Sequence, residues 1–177
     1  YLERLQGRFR RPVGEAVQNP DDAARPVPLL VEKILARDER LPSEWPVDGT
    51  TGYEFAAAVI GLWVDPAAEA PLTTLHRRFV NDGRTFTQHV YECKRRILAE
   101  ALDAEVNMLA RQIERIAGRN RRWRDFTLID LTNALIETLA AFPVYRTYVR
   151  EGSRPGREDV ARIKSAIGEA LQRSRSI

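Results

Sequence analysis

Apolar residues recur at two different spacings along the 177-residue chain. Residues 27–31 form a short, nearly continuous apolar run, and Glu32 follows directly. Such a run is typical of a buried strand, although a buried helical segment can show the same pattern. In a parallel barrel, residues at the carboxyl ends of strands face the active site, so this position makes Glu32 a candidate catalytic acid.

From residue 51 onward the apolar spacing is helical, which predicts about five helices. Thr51 with Glu54, and Thr85 with Gln88, match the capping box, in which two side chains satisfy exposed backbone N–H groups. Thr127 is expected to cap a further helix. The chain is therefore predicted to be mainly α, a multi-helix domain with at most one or two short strands.

The helical period after residue 85 continues for about thirty residues, which predicts one long helix. Gly118 is placed to cap its C-terminus. The Leu, Ile and Val stripes of the helices are expected to form the core. Cys93 lies on the apolar face of this helix, so we expect a buried and unreactive thiol.

Composition narrows the class of protein. Hydrophobic residues make up 44% and charged residues 30%, a normal balance for a globular protein. The single cysteine excludes an internal disulfide and fits a reducing compartment, so a cytoplasmic location is expected. One cysteine and two histidines disfavour a zinc site. No run approaches the roughly 18 apolar residues of a membrane span, which predicts no membrane partner.

The densest basic run joins Arg119, Arg121, Arg122 and Arg124 around Trp123. Arginines that contact phosphate and a tryptophan that stacks on bases would suit a nucleic-acid site. A solvated loop between helices gives the same pattern. Because no nucleic-acid motif accompanies the run, the loop is favoured and no nucleic-acid partner is predicted.

Residues 32–53 contain a sequence block that is specific enough to compare with a known protein family. Residues 32–35 read Glu-Lys-Ile-Leu, and residues 41–53 end in Gly-Thr-Thr-Gly-Tyr. This block resembles the malto-oligosyltrehalose synthase family, amylase-type (β/α)8 barrel enzymes of trehalose synthesis. Further similar segments make the resemblance span nearly the whole chain: residues 1–5, 61–66, 77–79, 91–95 and 142–148.

The resemblance implies that Glu32 is the general acid/base on the fifth barrel strand. The nucleophilic aspartate of the family would precede residue 1, and its third carboxylate would follow residue 177. We therefore expect a middle part of an enzyme, with residues 1–50 derived from the barrel and residues 51–177 a helical insertion. The isolated chain is expected to be inactive.

The family reaction is an intramolecular transglycosylation, formally an isomerisation. It converts the reducing-end α-1,4 bond of a maltodextrin into an α,α-1,1 bond, without metal or organic cofactor. Retaining glycosyl transfer of this kind uses two carboxyl groups about 5–5.5 Å apart. The expected partners are the maltodextrin, the rest of the parent barrel and, in the pathway, a malto-oligosyltrehalose trehalohydrolase.

Further candidate site residues follow Glu32 in the sequence. Lys33 would either hydrogen-bond sugar hydroxyls or form a salt bridge. Trp45 and Tyr53 would either stack on sugar rings or pack in the core. Thr50 and Gly52, in the loop before the first helix, are candidates to line the pocket.

A second group of candidates follows a proline, where loops often carry function. Tyr145, Arg146 and Tyr148 would either contact ligand or anchor the segment between helices. Two rival classes remain open at this point. One is a different amylase-type hydrolase, and the other is an all-helical interaction or nucleic-acid-binding module.

Overall fold

A computed structural model describes residues 1–9, 27–36 and 39–174. Within these ranges the chain is mainly helical with two short strands, as the sequence predicts. The elements are α1 (Leu2–Arg8), β1 (Leu30–Val31), β2 (Gly49–Thr50), α2 (Tyr53–Gly61), α3 (Glu69–Val80), α4 (Phe86–Glu100), α5 (Asp103–Gly118), α6 (Leu128–Ala140) and α7 (Arg157–Ser174), and a 3-10 turn (Pro66–Ala68) precedes α3.

The chain divides into two compact units, Tyr1–Phe79 and Val80–Ile177. The first unit holds both strands, and the second holds α4 to α7. The division of the sequence into a barrel-derived part, residues 1–50, and a helical insertion, residues 51–177, concerns the origin of the segments and stays a prediction.

Strands β1 and β2 pair in parallel, with Val31 opposite Thr50. Backbone hydrogen bonds extend this short ladder on both sides, from Asp48 N to Leu29 O at 2.8 Å and from Thr51 N to Val31 O at 3.2 Å. Parallel pairing brings the carboxyl ends of the two strands to the same edge. Side chains that directly follow each strand are therefore neighbours.

The side chain of Gln6 braces the entry to both strands. Its Nε2 donates to Val27 O at 2.8 Å and to Pro46 O at 3.1 Å, and its Oε1 accepts from Val27 N at 3.2 Å. The residue is only 5% exposed. Because a buried amide must keep its hydrogen bonds, Gln6 of α1 fixes the two segments that lead into β1 and β2.

Helix α2 begins differently from the prediction. Its N-cap is Gly52, which has a left-handed φ of 98° and provides no side-chain cap. Thr51 remains in the strand pairing, and the carboxylate of Glu54 accepts a hydrogen bond from the hydroxyl of Thr50 instead. The predicted Thr51–Glu54 capping box is therefore wrong, because the ladder of β2 extends to Thr51.

The other two predicted caps are confirmed. Thr85 and Gln88 form a complete capping box at the start of α4. Thr127 caps α6, and Asp130 closes a capping box with it. These caps involve residues three apart in the chain, so local sequence suffices to define them.

The predicted long helix is divided into α4 and α5. The N–H groups of Ala101 and Leu102 both donate to the carbonyl of Ile97, at 2.9 and 3.0 Å, which ends the first helix. Asp103 and Glu105 then lie in the first turn of α5, where negative charge favours a helix N-terminus. The apolar period continues across the break, which is why periodicity alone predicts a single helix.

The C-terminus of α5 also differs from the prediction. The helix includes Gly118, and its C-cap is Arg119 with right-handed backbone angles. Among the described residues, the glycines with positive φ are found elsewhere, so Gly118 is not a left-handed cap.

Helix α6 is the centre of the second unit and packs against α4, α5 and α7. The buried apolar positions of this unit are nearly all small. Alanine at helix crossings allows close approach of the backbones. The buried residues are Val106, Ala110, Ala117, Ala140, Ala141, Ala166 and Ala170.

The expectation that the large apolar stripes form the core is wrong for many of their members. Periodicity shows that a helix face suits an apolar environment, but it does not show that this environment lies within the same chain. Single exposed apolar residues are ordinary, whereas this set is large. The exposed members are Val59, Ile60, Leu72, Leu75, Ile97, Leu102, Leu109, Ile116, Val160, Ile167 and Leu171, and the aromatic residues Phe55, Trp63 and Phe79 are exposed as well.

Cys93 is exposed, so the predicted buried thiol is also wrong. Across residues 1–9, 27–36 and 39–174, no single helix has both the length and the apolar character to cross a bilayer. The pair Tyr53–Gly61 and Pro66–Val80 passes that test only jointly, by length and composition, with a 79° bend between its members.

Candidate active site

Glu32 lies directly after β1, and its side chain is exposed. Tyr53 follows β2 and begins α2. The hydroxyl of Tyr53 donates to Glu32 Oε1 at 3.3 Å. The parallel pairing of the strands brings these two residues together, since each follows the carboxyl end of its strand. The result is an accessible carboxylate that is held by a phenolic hydroxyl.

Lys33 is buried, unlike its neighbour Glu32. Its Nζ forms an ion pair with Glu39 Oε1 at 2.8 Å, and the two side chains are only 7% and 2% exposed. Ala36 N donates to Glu39 Oε2 at 3.1 Å, and Glu39 N donates to Ala36 O at 3.0 Å. Of the two roles considered for Lys33, the structure thus shows the salt bridge, and a sugar contact stays a prediction.

Sequence reasoning did not select Glu39. A separation of six residues between Lys33 and Glu39 has no helical or strand period that would pair them. The available signal was a pair of opposite charges on either side of residues 34–38, of which the last two are themselves charged. Such a pair is common on protein surfaces, so the signal is weak.

Thr50 and Gly52 lie at the carboxyl end of β2, as a pocket-lining role would require. The Thr50 hydroxyl donates to Glu54, and Gly52 N donates to Thr50 Oγ1 at 3.4 Å. Both residues are half-buried. The loop is thus closed by its own hydrogen bonds, and the lining role stays a prediction.

Trp45 lies in the turn that leads into β2 and is half-buried. Its backbone N–H donates to Pro42 O at 3.1 Å, and its backbone carbonyl accepts from Val47 N at 2.8 Å. These bonds fix the backbone on both sides of the indole. A stacking role for Trp45 stays a prediction.

Tyr145, Arg146 and Tyr148 belong to the second unit. The Arg146 guanidinium lies over the Tyr148 ring, 4.8 Å from its centroid, and Arg146 Nε donates to Thr147 O at 3.1 Å. Tyr145 is 91% exposed. The structure therefore brings Arg146 and Tyr148 together and leaves Tyr145 open to solvent.

A network that sequence reasoning missed joins three helices of the second unit. The Tyr91 hydroxyl donates to Glu137, and Arg95 Nε lies 2.9 Å from the other oxygen of that carboxylate. The Arg173 guanidinium stacks on the Tyr91 ring, 4.0 Å from its centroid. Burial and the hydrogen bond to Glu137 raise the pKa of Tyr91 to about 12. These contacts tie α4 and α7 to α6.

A second charged cluster lies at the start of the second unit. Arg84 Nη2 lies 2.6 Å from Asp82 Oδ2, and Arg84 also pairs with Glu92. Hydrogen bonds from the side chain and backbone of Arg84 hold the pKa of Asp82 well below its usual range. Throughout the described ranges, no group of three or more His, Cys, Asp or Glu side chains is arranged to hold a metal ion.

No family model matches the chain. Two curated proteins of Mycobacterium tuberculosis, from strains CDC 1551 and H37Rv, are provisionally named maltooligosyl trehalose synthase. Each is 38% identical to this chain over 90 residues. The match covers 51% of this chain and 12% of each relative. The chain therefore corresponds to a small part of these proteins.

Two solved structures of maltooligosyltrehalose synthase from Arthrobacter ramosus, one of them a mutant, also match. Their TM-scores are 0.68 for the mutant and 0.66 for the other, with 34% sequence identity in both cases. Each match covers 86% of this chain and 18% of the solved chain. The resemblance identified in the sequence is confirmed, and these relatives are named as enzymes.

Proposed function

We propose that this chain is a segment of a malto-oligosyltrehalose synthase, and that Glu32 is the general acid/base of the parent enzyme. The observation that carries the proposal is the position of Glu32 at the carboxyl end of a parallel strand. There its carboxylate is accessible and contacts Tyr53, which follows the neighbouring strand. This edge is where parallel α/β enzymes place their catalytic side chains.

In the proposed reaction, Glu32 protonates the glycosidic oxygen while the reducing-end glucose leaves. The remaining maltodextrin stays on a nucleophilic carboxylate, which the family resemblance assigns to a part of the parent outside residues 1–177. The released glucose then rotates in the site. Its anomeric oxygen attacks the anomeric carbon of the bound maltodextrin, the bond to the nucleophilic carboxylate breaks, and Glu32 accepts the proton of the attacking hydroxyl. One residue thus acts first as acid and then as base.

The reaction succeeds only when water is kept from the intermediate, because water would hydrolyse it. We propose that the helical insertion, residues 51–177, provides part of this cover. Trp45 and Tyr53 are proposed to contact the pyranose rings, and Thr50 and Gly52 to line the reducing-end subsite. Tyr145 and Arg146 are proposed as further sugar contacts.

The exposed apolar faces of α2 and α3 are consistent with a segment that packs against further protein. Phe55 on α2 and Phe79 on α3 are 74% and 90% exposed, an unfavourable state for large apolar side chains in water. We propose that the rest of the parent barrel covers them. In the pathway, the product would pass to a malto-oligosyltrehalose trehalohydrolase.

The decisive experiment is Glu32→Gln in the complete parent enzyme, assayed by the loss of reducing ends from maltopentaose. Amide substitution keeps the shape and removes the proton transfer, so we expect activity to fall at least about 10³-fold. Glu44→Gln is the matched control, because Glu44 is exposed in the loop before β2. It should leave the rate unchanged.

Near-normal activity of Glu32→Gln would contradict the assignment of the catalytic strand. The same assay separates the rival reaction. A hydrolase of the amylase type would create reducing ends from maltopentaose, whereas the proposed transglycosylation removes them.

A further inference from the structure

We infer that Glu39 is a positioning residue for Glu32, an inference that rests on the proposed function. Glu39 is nearly inaccessible, with 2% of its side chain exposed. Its two carboxylate oxygens have different partners. Oε1 pairs with Lys33 Nζ at 2.8 Å, and Oε2 accepts from Ala36 N at 3.1 Å.

The burial of this ion pair is itself informative. Removing a carboxylate and an ammonium group from water has a large desolvation penalty, and apolar residues of similar volume often give equal or greater stability. Stability alone therefore gives little reason for Lys33 and Glu39 to be charged. A pair of charges does supply a directional contact that apolar residues lack.

The direction matters because Lys33 directly follows Glu32. Glu32 is exposed and Lys33 is buried, so these two adjacent side chains lie in different surroundings. The ion pair of Lys33 with Glu39 therefore restrains the backbone from which the Glu32 side chain projects, and so fixes the direction of the Glu32 carboxyl. The bond from Ala36 N to Glu39 holds the same segment at a second point.

The catalytic role of Glu32 requires this precision. A misplacement of about 1 Å of a reacting group can lower the rate about 10²-fold. The Glu39 carboxylate bonds to Lys33 and Ala36, and its burial keeps it from a bound sugar. It acts through Lys33 and the backbone, so its loss should affect the chemical step more than substrate binding.

The test is Glu39→Gln in the complete enzyme, with kcat and KM measured separately on maltopentaose. Glutamine keeps the size and an acceptor for Ala36 N, but it removes the charge that pairs with Lys33. We expect kcat to fall about 10- to 100-fold with KM within about twofold of the wild type. The control is Glu100→Gln, which removes an exposed ion pair with Arg96 and should change neither constant.

A double variant, Lys33→Met with Glu39→Gln, separates positioning from stability, and its glutamine keeps an acceptor for Ala36 N. Removing both charges avoids leaving one buried charge, so this variant should unfold near the wild-type temperature. We expect its kcat to remain low, because the directional contact is absent. A stable double variant with wild-type kcat would overturn the inference, and so would a folded Glu39→Gln variant with wild-type kcat.

If Glu39→Gln fails to fold, kcat of the double variant still tests whether Glu39 positions Glu32. Failure of the proposed function has a different signature, since the unmodified enzyme would then not remove reducing ends from maltopentaose, and a hydrolase would instead create them. That result would overturn both claims before any variant is compared.

Discussion

Glu32 and Lys33 are adjacent in the chain but lie in opposite surroundings. The Glu32 side chain is exposed beside Tyr53, whereas the Lys33 side chain is 7% exposed and paired with Glu39. The segment directly after β1 thus exposes one charged group and buries the next. The buried charge restrains the segment from which the exposed one projects.

Tyr53→Phe should show whether the Tyr53 hydroxyl or its ring serves the reaction. The hydroxyl donates to Glu32 Oε1, so its loss should lower kcat of the parent enzyme about tenfold and leave KM nearly unchanged. Steady-state kinetics on maltopentaose measures both constants.

Tyr53→Leu is the comparison variant, since it removes the ring as well. If the ring stacks on sugar, KM should rise in this variant beyond its value in Tyr53→Phe. Equal kinetics for Tyr53→Phe and the wild type would show that the contact with Glu32 has no catalytic role.

Substitution by alanine should change the stability of α2 in opposite directions at Gly52, its N-cap, and at Gly61, its last residue. Gly52 has a φ of 98°, where a side chain is strained, so Gly52→Ala should destabilise α2 by about 1–2 kcal/mol. Gly61 ends the same helix without a positive φ, and a Cβ there meets no atom within 4 Å. Gly61→Ala should therefore stabilise α2 by about 0.5–1 kcal/mol.

Hydrogen exchange of the α2 amide groups measures both effects on the same helix. Protection should fall in Gly52→Ala and rise in Gly61→Ala. A Gly52→Ala variant with unchanged protection would mean that the turn before α2 tolerates a side chain and that its left-handed backbone is not required.

The stability of the second unit should depend on alkaline pH through Tyr91. Its pKa is raised to about 12 from an ordinary value of 10.0, because burial and the hydrogen bond to Glu137 favour the protonated phenol. The folded state therefore holds this proton more tightly than the unfolded state. The associated stabilisation is complete below pH 10 and is lost as the pH rises from about 10 to 12.

Urea unfolding of the wild type and of Tyr91→Phe, repeated between pH 9 and pH 12, measures this contribution. Phenylalanine has no proton to lose, so the difference in unfolding free energy between the two proteins should shrink across this range. A difference that stays constant would contradict the raised pKa.

The basic run around Trp123 is expected to bind no nucleic acid. It lies in the turns between α5 and α6, and the Trp123 side chain is 48% exposed. Filter binding of single- and double-stranded DNA at two salt concentrations checks this expectation. Saturable binding that weakens steeply with salt would instead support the interaction-module class.

Features that depend on residues close together in the chain were predicted well. The caps of Thr85 and Thr127 each involve a partner three residues away. Propensity and side-chain chemistry define such features without reference to the rest of the fold.

Features that depend on tertiary pairing were missed. Strand β2 has only two residues and exists because it pairs with β1. That pairing also keeps Thr51 out of the helix cap. Glu39 became a candidate only when the structure showed its burial with Lys33, because spacing alone gives no reason to pair the two charges.

The exposed position of Cys93 on α4 has a practical consequence for solution work. It is the single cysteine of the chain, so a maleimide dye would attach to one defined place in the second unit. The same thiol allows two copies to become linked by an intermolecular disulfide in air. A purified preparation therefore requires a reductant until the dye is coupled, after which the fluorophore reports on the helical unit from a single known point.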